Sequence, residues 1–151
     1  MNPVNVPSLY LDTSVIGGYY DPPFQVATRE LWQKQQAGKY RFVSSLLVDF
    51  EISTAPQQVQ DLMQRTFTEA DLLPLTVEVE ALARAYMAKK IVPSKYADDA
   101  THVAIAVVHR VPVLVSWNFK HLVNRDRRTA FNAVNLLQGY PPVDILSPLE
   151  L

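Results

Sequence analysis

The segment VPVLVS, residues 111–116, is an apolar strand closed by a serine, and it comes directly after the helical stretch KYADDATHVAIAVVHR at 95–110. A strand that is apolar at every position suits the buried centre of a parallel sheet, where helices cover both faces. The same alternation runs through the rest of the chain. Leu9, Tyr10 and Leu11 predict a buried strand ending on Asp12; Thr13 and Ser14 then turn the chain, and Gly17-Gly18 loosen the segment after the turn. FQVATRELWQKQQA (24–37) has helical periodicity through Val26, Ala27, Leu31 and Trp32, with Gly38 as its stop. YRFVSS (40–45) is a second strand. LLVDFEIST (46–54) gives a helical turn or two carrying Glu51, and Pro56 suits the first turn of the next helix.

ADLLPL (70–75) is a third strand weakened by Pro74, and VEVEALARAYMAKK (77–90) is a strong helix. Ser94 can cap the helix over 95–110, whose apolar stripe is Ala100, Val103, Ala104, Val107 and Val108. Residues 119–139 read as a basic loop plus a short helix, and VDIL (143–146) as a last strand. Strands alternating with helices imply right-handed crossovers and a three-layer α/β/α sandwich around a central, mostly parallel sheet. A length of 151 residues carries one such domain, spanning 1–151. The pattern leaves the strand order open.

Composition narrows the function classes. Hydrophobic residues make up 48% and charged residues 19%, which excludes a disordered chain. The net charge of −1 gives no global basic field, so nucleic acid binding would need a local basic patch. Without cysteine there is no disulfide framework, thiolate zinc site or thiol nucleophile. No apolar run is long enough to span a bilayer. The start MNPVNVPSLYLD lacks the basic and apolar regions of a secretion signal, so a cytoplasmic location is expected.

Parallel sheets place their ligand sites beyond the carboxyl ends of the strands. Asp12 ends the first strand, Glu51 lies beyond the second, Asp99 opens a late helix, and Ser116 and Asn118 close the apolar strand. These groups can reach one rim from distant positions. Like charges gathered there raise one another's pKa unless cations fill the site. A site rich in oxygen, free of sulfur and poor in histidine suits hard ions such as Mg²⁺ or Mn²⁺. Each residue also has a plainer use. Asp12 can cap a helix, and Asp98 and Asp99 favourably oppose a helix dipole. Glu51 between Phe50 and Ile52 can be an ordinary half-buried acid, and Asn118 a turn residue. His102 reads as a packing or supporting histidine, and KHLVNRDRR (120–128) as a solvated loop.

Taken together, LDTSV, a Glu after SSLLVDF, DDATHVAIA and LVSWNFKHLVN resemble the PIN domain family, the nuclease fold shared by the VapC toxins of toxin–antitoxin pairs. The resemblance runs from about Ser8 to Pro148 and includes the closing AVNLLQGYPPVDILSP. It implies a parallel sheet with an acidic pocket that binds Mg²⁺ or Mn²⁺ and cleaves RNA. Asp12, Glu51 and Asp99 match the family's three acids and would be catalytic metal ligands. Asp99 rather than Asp98 precedes the A-x-H-x-A run. Asn118 stands where many members carry a fourth aspartate, which removes one negative charge, and Ser116 occupies the preceding Ser/Thr position. Ser14, Asp98, Ser116 and His102 would support the ligands. Lys120, His121, Arg125, Arg127 and Arg128 would contact RNA phosphates. A small antitoxin partner and a homodimer are also implied, with Leu31, Trp32, Leu62 and Met63 serving either such a contact or the core.

The resulting expectation is a divalent-metal-dependent endoribonuclease. The alternative is a catalytically weakened PIN-like binding module acting through protein or RNA contacts. A phosphatase or nucleotide-binding reading fails: Ser14 stands where the second aspartate of the phosphatase pattern belongs. Neither a Gly-Lys-Ser/Thr loop nor G-x-G-x-x-G occurs.

Overall fold

The computed structural model describes residues 5–151, so the first four residues of the stretch MNPVNVPSLYLD lie outside it. Five strands form one sheet in the order β3-β2-β1-β4-β5: β1 (Ser8–Leu11), β2 (Arg41–Ser45), β3 (Leu72–Leu73), β4 (Val113–Val115) and β5 (Asp144–Leu146). Every pairing is parallel. The chain has the α/β fold that its alternation predicts. β1 is central, and its register with β4 (Leu11 opposite Val115) brings Asp12 and Ser116 to the same level of the carboxyl rim. Tyr10, Leu11, Leu114 and Val115 are fully buried, as apolar strands covered on both faces must be.

The helices are α1 (Thr13–Gly18), α2 (Gln25–Gln36), α3 (Leu46–Ile52), α4 (Gln57–Thr66), α5 (Val77–Ala88), α6 (Ala97–Val108) and α7 (Arg125–Leu137). None among the described residues is long and apolar enough to cross a membrane. Leu31, Trp32, Leu62 and Met63 are buried, so all four belong to the core rather than to a partner surface.

Four local expectations are corrected. Residues 13–18 are a helix and not a loosened turn, because Asp12 accepts from the Val15 backbone N–H at 3.2 Å and caps it. Gly18 lies where a Cβ would stand 2.8 Å from Trp117 Nε1, so the glycine there permits a close approach. Ser94 does not cap α6. It opens a 3-10 turn, Ser94–Tyr96, and the helix proper begins at Ala97. The third strand shrinks to two residues, because Glu69–Asp71 is taken up by a 3-10 turn that Thr68 and Asp71 close reciprocally. The short helix expected within 119–139 is the thirteen-residue α7, capped by Asn124, whose Oδ1 accepts from Arg127 N at 2.9 Å. The charged run RDRR hides its apolar side, which buries Phe131 and Val134.

Gly18→Ala is expected to destabilise the protein by roughly 1–3 kcal/mol, the usual cost of overpacking. The Trp117 ring has little room to retreat: it stacks on Phe24 at 4.5 Å and donates from Nε1 to Thr28 Oγ1 at 2.9 Å. Chemical denaturation would read the loss, and an unchanged midpoint would show that the tryptophan yields freely.

Candidate functional site

The site is built on the carboxyl rim between β1, β2 and β4. Asp12 N donates to Val115 O at 3.2 Å, which fixes the acid at the end of β4 as well as β1. Its Oδ1 accepts from Ser14 Oγ at 2.6 Å, and Ser14 Oγ in turn accepts from Trp117 N at 2.9 Å. Ser116 Oγ lies 3.4 Å from Ser14 Oγ and accepts from Asn118 N at 2.9 Å. Ser14 and Ser116 therefore tie the two strand ends together and orient the turns that leave them. Asp12 is only 5% exposed, and burial pushes its carboxyl pKa up; His102 and the Ser116 and Ser14 hydroxyls hold it back.

Glu51 comes from α3, whose first turn Ser45 caps through Val48 N. Its Oε1 accepts from Thr13 Oγ1 at 2.7 Å and pairs with His102 Nε2 at 2.8 Å. Burial pushes the Glu51 carboxyl up, but these two contacts outweigh it and leave the pKa below its ordinary value. His102 is almost wholly buried. Its Nδ1 meets Tyr10 Oη at 2.7 Å, and Tyr10 Oη meets Ser45 Oγ at 2.7 Å. Burial alone would depress the imidazolium; the Glu51 hydrogen bond and the charges of Asp12, Glu51 and Asp99 raise its pKa instead. His102 thus contacts Glu51 directly and feels the charges of Asp12 and Asp99 through space.

Asp99, in the first turn of α6, accepts at Oδ2 from Asn118 Nδ2 at 3.2 Å and meets His121 Nδ1 at 3.2 Å. Burial raises its pKa, opposed chiefly by His121. His121 N donates to Asn118 Oδ1 at 3.0 Å, so Asn118 and His121 act as one clamp on Asp99. The His121 ring packs on Tyr96 with centroids 4.2 Å apart, and its Nε2 is buried without a hydrogen-bond partner among the described residues.

The structure therefore gathers Asp12, Ser14, Glu51, Asp99, His102, Ser116 and Asn118 on one rim. Asp98 departs from that group. It is exposed and lines the cleft between α5 and α6 with Glu80 and Arg84, because neighbouring helix positions point about 100° apart. Among the expected phosphate contacts, Lys120 and Arg125 are exposed and Arg127 is half-buried. His121 is buried against Asp99, which turns it away from solvent. Arg128 donates to Ile145 O at 3.2 Å and lies 3.6 Å from Asp144 Oδ1, which draws it onto β5. Tyr10 and Thr13 were missed. Thr13 adjoins Asp12 in LDTSV and was open to suspicion; nothing in sequence links Tyr10 to His102.

As donors for a hard cation, the acids suit the task in type: one oxygen each of Asp12, Glu51 and Asp99 takes no hydrogen bond from the described residues. Among the described residues no three acidic or histidine groups are gathered as a ready-made metal cluster. Glu51 pairs with His102 and Asp99 with His121, so the carboxylates do not form a closed coordination set.

No protein-family model matches this chain, and no curated protein is similar to it in sequence. Among solved structures, it is similar to a chain of VapBC2 from Rickettsia felis, crystallised bound to a DNA fragment from their promoter. The TM-score is 0.55 at 12% identity, over 93% of this chain and 98% of that one. At that identity the likeness speaks for the fold alone.

Proposed function

We propose that the protein is a divalent-metal-dependent endoribonuclease that hydrolyses RNA phosphodiester bonds. The observation that carries this reading is that Asp12, Glu51 and Asp99 reach one rim from three separate elements, linked there through Ser14, Ser116 and Asn118 and, for Glu51, through Thr13 and His102. Structural reasons account for each acid alone; none accounts for three brought together beside strand ends. Asp12, Glu51 and Asp99 would hold Mg²⁺ or Mn²⁺, which supplies the positive charge that activates water and offsets charge on the scissile phosphate. Ser14 fixes the carboxylate of Asp12, and Thr13 that of Glu51. Asn118 and His121 fix Asp99, leaving its second oxygen for the ion. His102 holds Glu51 from behind.

In the same reading the protein is the toxin of a toxin–antitoxin pair, a role in line with its fold likeness to a VapBC2 chain, and it acts in the cytoplasm with an antitoxin partner and as a homodimer. Exposed Leu46 and Phe50 on α3, next to Glu51, offer apolar area to such a partner. Incubation of the purified protein with single-stranded RNA is expected to give cleavage with Mn²⁺ and none with EDTA. Intact RNA under both conditions rejects the nuclease.

One observation favours a PIN-like binding module instead: Asn118 replaces a fourth acid and spends its amide on Asp99, while the acids form no closed set. Calorimetry separates the two readings. The nuclease requires Mn²⁺ binding that Asp12→Asn removes; the binding module requires none.

A further inference from the structure

Away from the acids, a cavity of about 820 Å³ opens between the end of α5 and the face of α7. Its size is that of a small-ligand pocket. Lys89, Lys90, Lys120 and Arg127 line it against a single acid, Asp126. The chain as a whole carries a net charge of −1, so this concentration is local. None of the four cations has a side-chain hydrogen bond or ion pair among the described residues, whereas Arg128 on the same helix is engaged on β5. The floor is apolar, made by Ile91, Val134 and Leu137. A second cavity of about 460 Å³ adjoins it and shares Lys90 and Arg127.

Lys90 also has a backbone conformation uncommon for a residue with a side chain. It lies just past α5 in the left-handed region, φ 54°, where glycine is the unstrained choice. Gly38 and Gly139 take that region after α2 and α7, at φ 82° and 80°, and Arg110 takes it after α6, at φ 62°. A lysine there is conformationally strained relative to glycine. Its side chain lines the cavity.

The cavity is also joined to the acid site. Lys120 lies two residues beyond Asn118, and Asn124 Nδ2 holds its carbonyl at 3.1 Å. Residues 89–96 lead from the cavity into α6, where the Tyr96 ring rests on His121, the partner of Asp99.

We infer that this cavity binds a nucleotide of single-stranded RNA flanking the cleaved bond, its phosphates on Lys89, Lys90, Lys120 and Arg127 and its unpaired base on the apolar floor. Cations without partners above an apolar floor match an anion that carries a flat hydrophobic group. The inference rests on the nuclease reading, and its test does not need cleavage.

Fluorescence anisotropy with a labelled single-stranded RNA, measured in EDTA, reads binding alone. Lys89→Ala/Lys90→Ala/Arg127→Ala is expected to weaken binding about tenfold at low salt. It should also flatten the dependence of log K on log salt, by about 0.7 for each phosphate that is no longer neutralised. A control variant, Lys39→Ala, lies before β2 at the opposite rim and is expected to leave binding unchanged. Lys90→Gly separates folding from binding: relief of the left-handed lysine is expected to raise the thermal midpoint while affinity falls. An RNA duplex is expected to bind more weakly than the single strand, since its bases are stacked away. Unchanged affinity in the triple variant, an equal loss in Lys39→Ala, equal affinity for the duplex, or no RNA binding by the wild type would each overturn the inference. RNA bound through the cavity but not cut with Mn²⁺ overturns the nuclease reading alone; cutting with the triple variant binding as wild type overturns the cavity alone.

Discussion

Asp12→Asn and Asp99→Asn are each expected to abolish Mn²⁺-dependent RNA cleavage while leaving the fold intact. The loss should be at least ~100-fold, since outer partners of metal ligands by themselves are worth about 10–100-fold. The substitutions are nearly isosteric, and the structure shows why they spare stability. Asp12 uses Oδ1 for both Ser14 and the Val15 N–H, and an asparagine carbonyl accepts the same two bonds. Its amide falls on the oxygen that takes no hydrogen bond from the described residues. Burial already pushes the Asp12 carboxyl up, so the charged form is held at a cost, and a neutral side chain relieves it. For Asp99 the amide oxygen still accepts from Asn118 Nδ2. An inactive variant with an unchanged denaturation midpoint therefore reports lost chemistry. Cleavage at the wild-type rate in both variants rejects the assigned mechanism outright.

The second large effect is on stability. His102→Ala should cost about 2–5 kcal/mol, the range for emptying a large buried side chain. That is a sizeable part of the roughly 5–15 kcal/mol that holds a domain together. The imidazole is 3% exposed and bonded at both nitrogens, so its removal leaves a cavity and strips Tyr10 Oη of one of two partners. It also leaves Glu51 with Thr13 as its remaining hydrogen-bond partner. Glu51 retains some exposure to solvent, which limits its share of the loss. Tyr10→Phe, which keeps the packing and deletes only the hydroxyl, should cost less, about 1–3 kcal/mol. Urea unfolding measures both. A His102→Ala variant within about 0.5 kcal/mol of wild type, the spread of a neutral surface change, would show that the histidine carries little of the stability.

This dependence of the site on its scaffold explains which parts of it were readable. Asp12, Asp99 and Asn118 are legible as candidates because each lies just past a strand or in the first turn of a helix, and such positions are marked by where apolar runs stop; Glu51 is marked only by its place between Phe50 and Ile52 in α3. Supporting residues carry no such mark. Tyr10 and His102 are 92 positions apart, and the hydroxyl that matters belongs to what looks like an ordinary core aromatic in the centre of β1. His121 looked like part of a basic surface run, yet Leu122 beside it is fully buried and the loop folds the ring inward onto Asp99. Asp98 and Asp99 are indistinguishable by composition. Their separation by one helical position sends one to solvent and the other to Asn118.

The sequence by itself determined the layers. Uninterrupted apolar strands such as VPVLVS can be satisfied only inside a parallel sheet under helices, and every strand pairing is indeed parallel. It also determined that acids would meet at the carboxyl rim, since each is fixed relative to its own strand or helix. Tertiary structure decided the rest. The order β3-β2-β1-β4-β5 set which acids became neighbours, and Gly18 against Trp117 set how closely α1 could approach β4. The fold placed one histidine among three carboxylates. Periodicity along a chain records which side of an element is buried; it does not record what lies opposite, and charge compensation depends on what lies opposite.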